Sequence, residues 1–157
     1  MTPPDPRSDA ETGRLRRFDA LSTQRLSAAA ASGPYMEPVN LDESFASFDE
    51  TWAPRIAAEL NDYAVKVAKL DGEFVWHAHD ETDELFLVRD GRLRIEFRDR
   101  DDAVLGSGDL LVVPRGVEHR PVALEPTEVL LVEPTETLNT GDAEASDLTH
   151  GDPERLS

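Results

Sequence analysis

The residues with the clearest chemical potential are three histidines and a glutamate in the middle of the chain. His77 and His79 lie two residues apart, and Glu84 follows five residues after the second of them. His119 comes further on. In a β-strand, side chains two residues apart share a face, so the first two imidazoles would lie side by side. Imidazoles next to a carboxylate are ligands that first-row transition metals accept, so the pattern predicts a metal site. The fourth histidine, His150, falls in a polar segment and is predicted to be chemically idle.

Two glycine-containing motifs surround these residues and resemble the two signature motifs of the cupin superfamily. The stretch from Gly72 to Gly91 reads G-x4-H-x-H-x4-E-x6-G, and the stretch from Gly108 to His119 reads G-x5-P-x-G-x2-H. The chain looks closest to small single-domain, type-2 cupins, and the resemblance covers residues 41–141. Two positions depart from the pattern. Four residues, rather than the usual five, precede His77, and Ala123 stands where the second motif often has asparagine.

The resemblance implies a fold, a metal and a class of activity. The fold would be the cupin double-stranded β-helix, a jelly-roll barrel, with a short helical or irregular N-terminal extension. The metal would be one divalent ion per chain, of iron, manganese, nickel, cobalt or zinc, with His77, His79, Glu84 and His119 as its ligands. Similar cupins include dioxygenases, isomerases, lyases and decarboxylases, so the fold does not name the reaction. A metal-dependent enzyme acting on a small organic molecule is the leading interpretation. The alternative is a small-molecule binding or sensing module with a structural metal.

Other residues near the motifs have secondary predicted roles. Asp83 is an alternative carboxylate ligand, and Arg115, on a loop at the barrel rim, is a candidate for holding an anionic substrate. With the histidines used as ligands, the candidates for a general base are Tyr63, a carboxylate or metal-bound hydroxide. Strand parity predicts that Phe74 and Trp76 face away from the imidazoles.

The resemblance also implies a homodimer, because the sheet edges of a small barrel need cover. The segment 92–98 carries arginines on one face and apolar residues on the other. We expect the face formed by Arg92, Arg94 and Arg98 to meet acidic residues across that interface.

The chain is strongly acidic and contains no cysteine. Its 157 residues include 33 Asp and Glu against 16 Lys and Arg, for a formal net charge of −17. Such a surface repels nucleic acids and anionic membranes, so neither is expected as a partner. The acidity suits either a high-salt cytoplasm or the proteome of an arginine-rich, lysine-poor genome. No run is long enough to span a membrane, and Asp19 and Arg25 interrupt the segment that would be apolar in a signal peptide, so a cytoplasmic location is expected.

From residue 62 the apolar residues alternate with a period of two, which predicts short β-strands. Hairpin turns are predicted at Asp71-Gly72 and Asp90-Gly91, with a strand between them at Phe74–His79. The remaining predicted strands lie at 84–88, 92–98, 103–105, 110–113, 118–123 and 128–132, with a turn at 124–126. No helical period separates them, so the pattern predicts an all-β sandwich or barrel.

The chain divides into three predicted parts. Residues 1–36 form an N-terminal extension predicted to be disordered, residues 37–141 the cupin domain, and residues 142–157 a flexible acidic tail. Met36 is an alternative start of the gene product. At the beginning of the domain, Phe45, Phe48 and Trp52 have helical spacing and should cover a sheet edge. A further helix is predicted to begin near Pro54.

Overall fold

The computed structural model describes residues 37–156, whose regular structure is almost entirely β-strand. The single helix in this range is α1, Leu41–Ala46. The strands are β1 (Arg55–Leu60), β2 (Tyr63–Glu73), β3 (Glu84–Asp90), β4 (Arg92–Phe97), β5 (Ala103–Gly106), β6 (Leu110–Val113) and β7 (His119–Pro134). The all-β prediction is confirmed, whereas the predicted disorder of residues 1–36 lies outside the described range. Within that range, no helix is long and apolar enough to cross a membrane.

The longest strand, β7, joins the sheet together. β2 pairs with it along one edge, and β3 and β4 pair with it in succession along the opposite edge. β1 extends the sheet beside β2, β6 beside β3, and β5 beside β4. The first half of β7 therefore belongs to one side of the barrel and the second half to the other. This antiparallel jelly-roll arrangement confirms the predicted barrel.

Three predicted turns are wrong, each because a long strand bends instead of reversing. β2 continues through Asp71 and Gly72, where a register shift and a φ of 72° at the glycine bend the strand. β3 and β4 meet at Gly91, with φ of 92°, but they pair with β7 and not with each other. β7 also runs without a break through residues 124–126. These bends let single strands serve both sides of the barrel.

The predicted helix near Pro54 is also wrong, because residues 55–60 form the edge strand β1, antiparallel to β2. Backbone hydrogen bonds to the neighbouring strand β2 stabilise residues 55–60 as a strand, and this stabilisation exceeds the local preference for a helix. The aromatic residues before it behave as predicted: Phe45 and Phe48 are buried and pack with Ala57 and Val67 under α1. Asn40 caps the N-terminus of α1, since its side chain accepts a hydrogen bond from the backbone N–H of Glu43.

Residues 142–156 differ from the flexible tail that their composition predicts. The backbone N–H of Ile56 in β1 donates to the carbonyl of Glu154 over 2.8 Å, and that of Leu156 donates to Ile56 over 2.9 Å. Leu148 packs against the main core, and the N–H of His150 donates to Asn139 Oδ1. The segment covers the open edge of β1, which a polar sequence can do through its backbone alone.

Candidate metal centre

The three histidines and the glutamate come from separate parts of the chain that β7 brings together. The segment 74–79 is not a regular strand; its single bridge pairs His77 with His119 at the beginning of β7, through N–H···O bonds of 3.0 and 2.9 Å. Glu84 begins β3. All four side chains are buried, with exposed fractions of 2% for His77, 7% for His79, 4% for Glu84 and 1% for His119. Because the segment 74–79 is irregular, Phe74 is buried next to His77 and not on the opposite face as parity predicts.

The donor atoms of these four side chains converge on one carboxylate oxygen. Glu84 Oε2 lies 3.3 Å from His79 Nε2, 3.3 Å from His119 Nε2 and 4.0 Å from His77 Nε2. Ligands held at about 2.1 Å from one ion are themselves about 3 Å apart, so this spacing is close to what a metal requires. The described residues thus include a buried cluster of histidine and glutamate side chains capable of binding a metal ion.

The Nδ1 hydrogen bonds of His77 and His119 turn the Nε2 atoms of these rings towards Glu84. His77 Nδ1 donates to the carbonyl of Val75 over 3.1 Å, and His119 Nδ1 donates to the carbonyl of Val117 over 2.9 Å. A ring whose Nδ1 carries the hydrogen presents a lone pair at Nε2, as a metal ligand must. The Nε2 atoms of His77 and His79 are buried and have no hydrogen-bond partner within residues 37–156. Buried polar atoms are normally satisfied, so two such atoms aimed at one carboxylate fit a bound cation.

The protonation states of His77 and Glu84 favour cation binding. Burial and the neighbouring His119 lower the pKa of His77 to about 4, so this ring is neutral at pH 7. Burial alone would raise the pKa of Glu84, but the imidazoles of His119 and His79, each 3.3 Å from its Oε2, outweigh burial and bring the pKa to about 2. Burial alone would lower the pKa of His79, but the nearby carboxylates of Glu84 and Glu133 together outweigh it and raise the pKa. A neutral imidazole beside an ionised carboxylate is the donor state that a divalent metal needs.

A second buried pair, which sequence reasoning missed, lies behind this cluster. Lys66 in β2 and Glu133 in β7 are both fully buried, and Lys66 Nζ lies 2.7 Å from Glu133 Oε1. Lys66 Nζ also donates to the carbonyl of Thr137 over 3.2 Å. Glu133 Oε2 has no hydrogen-bond partner among the described residues, and donor atoms of His79, Glu84 and Glu133 lie within 4.8 Å of one another. Burial and the charge of Glu84 raise the pKa of Glu133 to about 7. The sequence gives no distinctive signal for this pair, because a charged residue that alternates with apolar ones is typical of the solvent-facing side of a strand.

The other predicted site residues lie elsewhere. Asp83 is exposed and its Oδ1 accepts a hydrogen bond from the backbone N–H of Arg115, which is itself exposed. Tyr63 is 49% exposed at the start of β2. Trp76 packs outside the barrel, as predicted, with the guanidinium of Arg98 3.7 Å from its ring centre. None of these four lines the cavity beside the histidines.

A cavity within the barrel reaches the cluster and is walled almost wholly by apolar side chains. His77 and Glu84 are the two residues of the cluster that line it. Trp52, predicted only to cover a sheet edge, stacks on Phe74 with ring centres 4.7 Å apart and forms part of the wall. Trp52 has an unusual φ of 59°, a conformation that costs a bulky residue free energy and recurs at functional sites.

Comparison with known proteins agrees with the fold and the motifs. The family model described as "Cupin domain" matches residues 65–133. The chain is 43% identical over 76 residues to the uncharacterized protein YdbB of Bacillus subtilis (strain 168), over 48% of this chain and 67% of YdbB. A crystal structure of a cupin-2 domain containing protein from Shewanella frigidimarina is 46% identical, covers 61% of this chain and 93% of that one, and has a TM-score of 0.59. Hydroquinone 1,2-dioxygenase from Sphingomonas sp. TTNP3 is similar in fold alone, at 20% identity over 60% of this chain and 31% of that one, with a TM-score of 0.56.

Proposed function

This chain belongs to the cupin family, and from that premise we propose that it is a metal-dependent enzyme acting on a small organic molecule. We propose one divalent transition metal per chain, bound by His77, His79, Glu84 and His119. The observation that carries the proposal is the pair of buried, unpartnered Nε2 atoms of His77 and His79, directed at the carboxylate of Glu84 within the described part of the chain. Without a cation, two lone pairs and a negative charge would be buried together, which is unfavourable.

The residues around the metal would define what it can do. The carbonyls of Val75 and Val117 fix the ring orientation of His77 and His119 through their Nδ1 hydrogens. The apolar side chains of the cavity wall lower the local dielectric constant and so strengthen the charge interactions beside them. A bound metal would supply a Lewis acid with open positions for a substrate atom. Three nitrogen donors and one oxygen donor suit oxygenase chemistry best, with isomerase and lyase reactions as the alternatives within the same proposal.

One observation favours a second candidate, a module that binds or senses a small molecule without turnover. Apart from His77 and Glu84, the only polar side chain that the described residues place in the cavity wall is Asn139. General acid–base catalysis requires a titratable group within hydrogen-bond reach of the substrate, and an amide cannot serve. The proposed enzyme function is therefore limited to reactions that a metal catalyses without a separate acid or base from the protein.

Elemental mass spectrometry of protein purified without an affinity metal tests the metal proposal. We expect about one transition metal per chain in the wild type. His77→Ala and His119→Ala should each lose it, whereas His150→Ala, which removes the one histidine outside the cluster, should retain it. The same stoichiometry in the His119→Ala variant, or no uptake by the wild type after addition of Fe(II), Mn(II), Ni(II), Co(II) or Zn(II), would contradict the proposal.

We further propose that the protein is a homodimer, through the edge strand β6 and not through the arginine face. Arg94 and Arg98 have partners within the chain, since Arg94 lies 2.7 Å from Glu96 and Arg98 3.3 Å from Glu118. On β6, by contrast, Leu110 is 58% exposed. An apolar sheet edge exposed to water is a surface that a second copy can cover. Light scattering should give twice the chain mass for the wild type and for Arg94→Glu, and the single-chain mass for Leu110→Asp.

A further inference from the structure

The wall of the cavity restricts the chemistry of the molecule that can occupy it. Its large side chains are apolar and come from the segment before β1, from β2 and β3, from β7 and from the segment after β2: Trp52, Leu70, Phe74, Phe86 and Leu131. The volume that water-sized molecules can reach is about 30 Å³, which is small for a ligand pocket, and part of the space is continuous with solvent. Such a space excludes a long or branched molecule.

Within residues 37–156, the wall offers no free polar side chain apart from the proposed metal ligands. Asn139 is fully committed: its Nδ2 donates to the carbonyl of Leu148 over 2.7 Å, and its Oδ1 accepts from the N–H of His150 over 2.7 Å. The indole N–H of Trp52 donates to the carbonyl of Asp71 over 2.9 Å. A hydroxyl, amide or carboxylate on the body of a ligand would therefore be buried without a side-chain partner, which is unfavourable.

The charged residues near the cavity also argue against a ligand whose body is negatively charged. No arginine or lysine is found in the described wall of the cavity, and Lys66 is held by Glu133. On the outer side of His79, a shallow groove carries four acids, Asp80, Glu81, Glu136 and Asp142. Arg115, predicted to hold an anionic substrate, is exposed and outside the cavity. A ligand with a negatively charged body would find no counter-charge among the described residues of the wall.

Resting on the proposed metal site, we propose that the ligand is a small molecule with an uncharged, apolar and preferably flat body and a single polar group that binds the metal. The polar group is directed at the part of the cavity lined by His77 and Glu84. The body packs against the stacked rings of Trp52 and Phe74, whose planes are inclined by 25°. Sugars, sugar acids and dicarboxylates are excluded as substrates by the same reasoning.

A series of hydroxamates tests this inference, because they bind a metal through one common group and differ only in their body. The protein is loaded with Co(II), and each dissociation constant is read from the visible absorption of the cobalt. Benzohydroxamate should bind about 10- to 100-fold more tightly than acetohydroxamate, as burial of a phenyl ring implies. The hydroxamate of succinic acid, whose body carries a carboxylate, should bind no more tightly than acetohydroxamate.

Variants of the two tryptophans test whether the preference for the phenyl hydroxamate arises in the cavity. Trp52→Leu should reduce the ratio of the benzohydroxamate and acetohydroxamate affinities at least threefold, whereas Trp76→Leu, outside the barrel, should leave the ratio unchanged. If Trp52→Leu does not fold, the hydroxamate series measured on the wild type tests the inference by itself. Equal affinities for the phenyl and methyl hydroxamates, or a preference for the carboxylate, would overturn the inference while leaving the metal site intact. Failure to take up Co(II), Fe(II), Mn(II), Ni(II) or Zn(II) would instead overturn the proposed function and this inference with it.

Discussion

Replacing Lys66 with alanine should lower the free energy of unfolding by about 3–5 kcal/mol, the usual cost of removing one partner of a buried ion pair. Lys66 and Glu133 have no exposed surface, and the ammonium lies 2.7 Å from the carboxylate. Without the lysine, the carboxyl group of Glu133 would be left buried near that of Glu84, with no compensating charge. Urea unfolding at pH 7 of protein treated with a chelator measures the loss.

The pH dependence of this loss follows from the raised pKa of Glu133. Burial and Glu84 bring that pKa to about 7, above the ordinary value of 4.5. Between those values the folded state binds more protons than the unfolded state, so this group's contribution to stability falls as pH rises. Removing the lysine raises the pKa further, and the deficit of Lys66→Ala should therefore be larger at pH 8 than at pH 5.

Two controls separate the ion pair from general effects of mutation. Lys69→Ala removes the only other lysine, whose side chain is 24% exposed, and should cost no more than about 1.5 kcal/mol. The double variant Lys66→Met, Glu133→Leu should recover most of the stability, because apolar pairs of similar volume replace buried ion pairs well. A loss below about 1 kcal/mol for Lys66→Ala would contradict the prediction.

Replacing Gly141 with alanine should both destabilise the protein and weaken metal binding. Gly141 has a φ of 51°, and a Cβ atom there would lie 2.2 Å from the carbonyl oxygen of Ala78 and 3.1 Å from His79 Nδ1. Asp142 fixes the backbone of Ala78 through two hydrogen bonds. Its Oδ1 accepts from the N–H of Ala78 over 2.7 Å, and its own N–H donates to the Ala78 carbonyl over 3.0 Å. A shift of Ala78 would therefore move both imidazoles that flank it.

We expect Gly141→Ala to cost about 3 kcal/mol or more in unfolding free energy, in the range of severe steric conflicts. Loss of ligand positioning should weaken Co(II) affinity by about 10- to 100-fold. Gly108→Ala is a matched control, because Gly108 also has a positive φ, of 89°, but a Cβ atom there would have no atom of the described residues within 4 Å, its chain neighbours aside. It should cost only the backbone strain of about 1–2 kcal/mol and leave Co(II) affinity unchanged. Equal Co(II) affinity in Gly141→Ala and the wild type would refute the positional argument.

The sequence predicts the fold class and the location of the cluster, because both depend on local spacing. Period-two alternation identifies strands such as β6, whose bounds are predicted without error. The motifs identify His77 and His119, although they lie far apart in the chain. What the sequence does not reveal is which strand pairs with which. The helix expected near Pro54 becomes β1, because β2 offers it a partner, and the turn expected at Asp71-Gly72 becomes a bend.

The buried pair of Lys66 and Glu133 also depends on strand pairing, which the sequence does not reveal. Each residue alone has the sequence environment of a solvent-facing charge in a half-buried strand. Only the antiparallel register of β2 and β7, which places Ala64 opposite Glu133, brings the two charges together inside the barrel. Phe74 and Trp52 line the cavity for a related reason: the backbone around them is irregular, so parity does not fix where their side chains lie.

The pairing pattern of β7 has a consequence for the order in which the protein folds. Without β7, the named strands reduce to three separate two-stranded units, β1 with β2, β3 with β6, and β4 with β5. Isolated two-stranded units are marginal in water, and their joining requires contacts between distant parts of the chain, which form slowly. All four proposed metal ligands precede residue 120, yet their donor atoms meet only once the last strand has been inserted. A nascent chain that ends between residues 120 and 133 thus carries every proposed ligand but lacks the complete strand that brings them together.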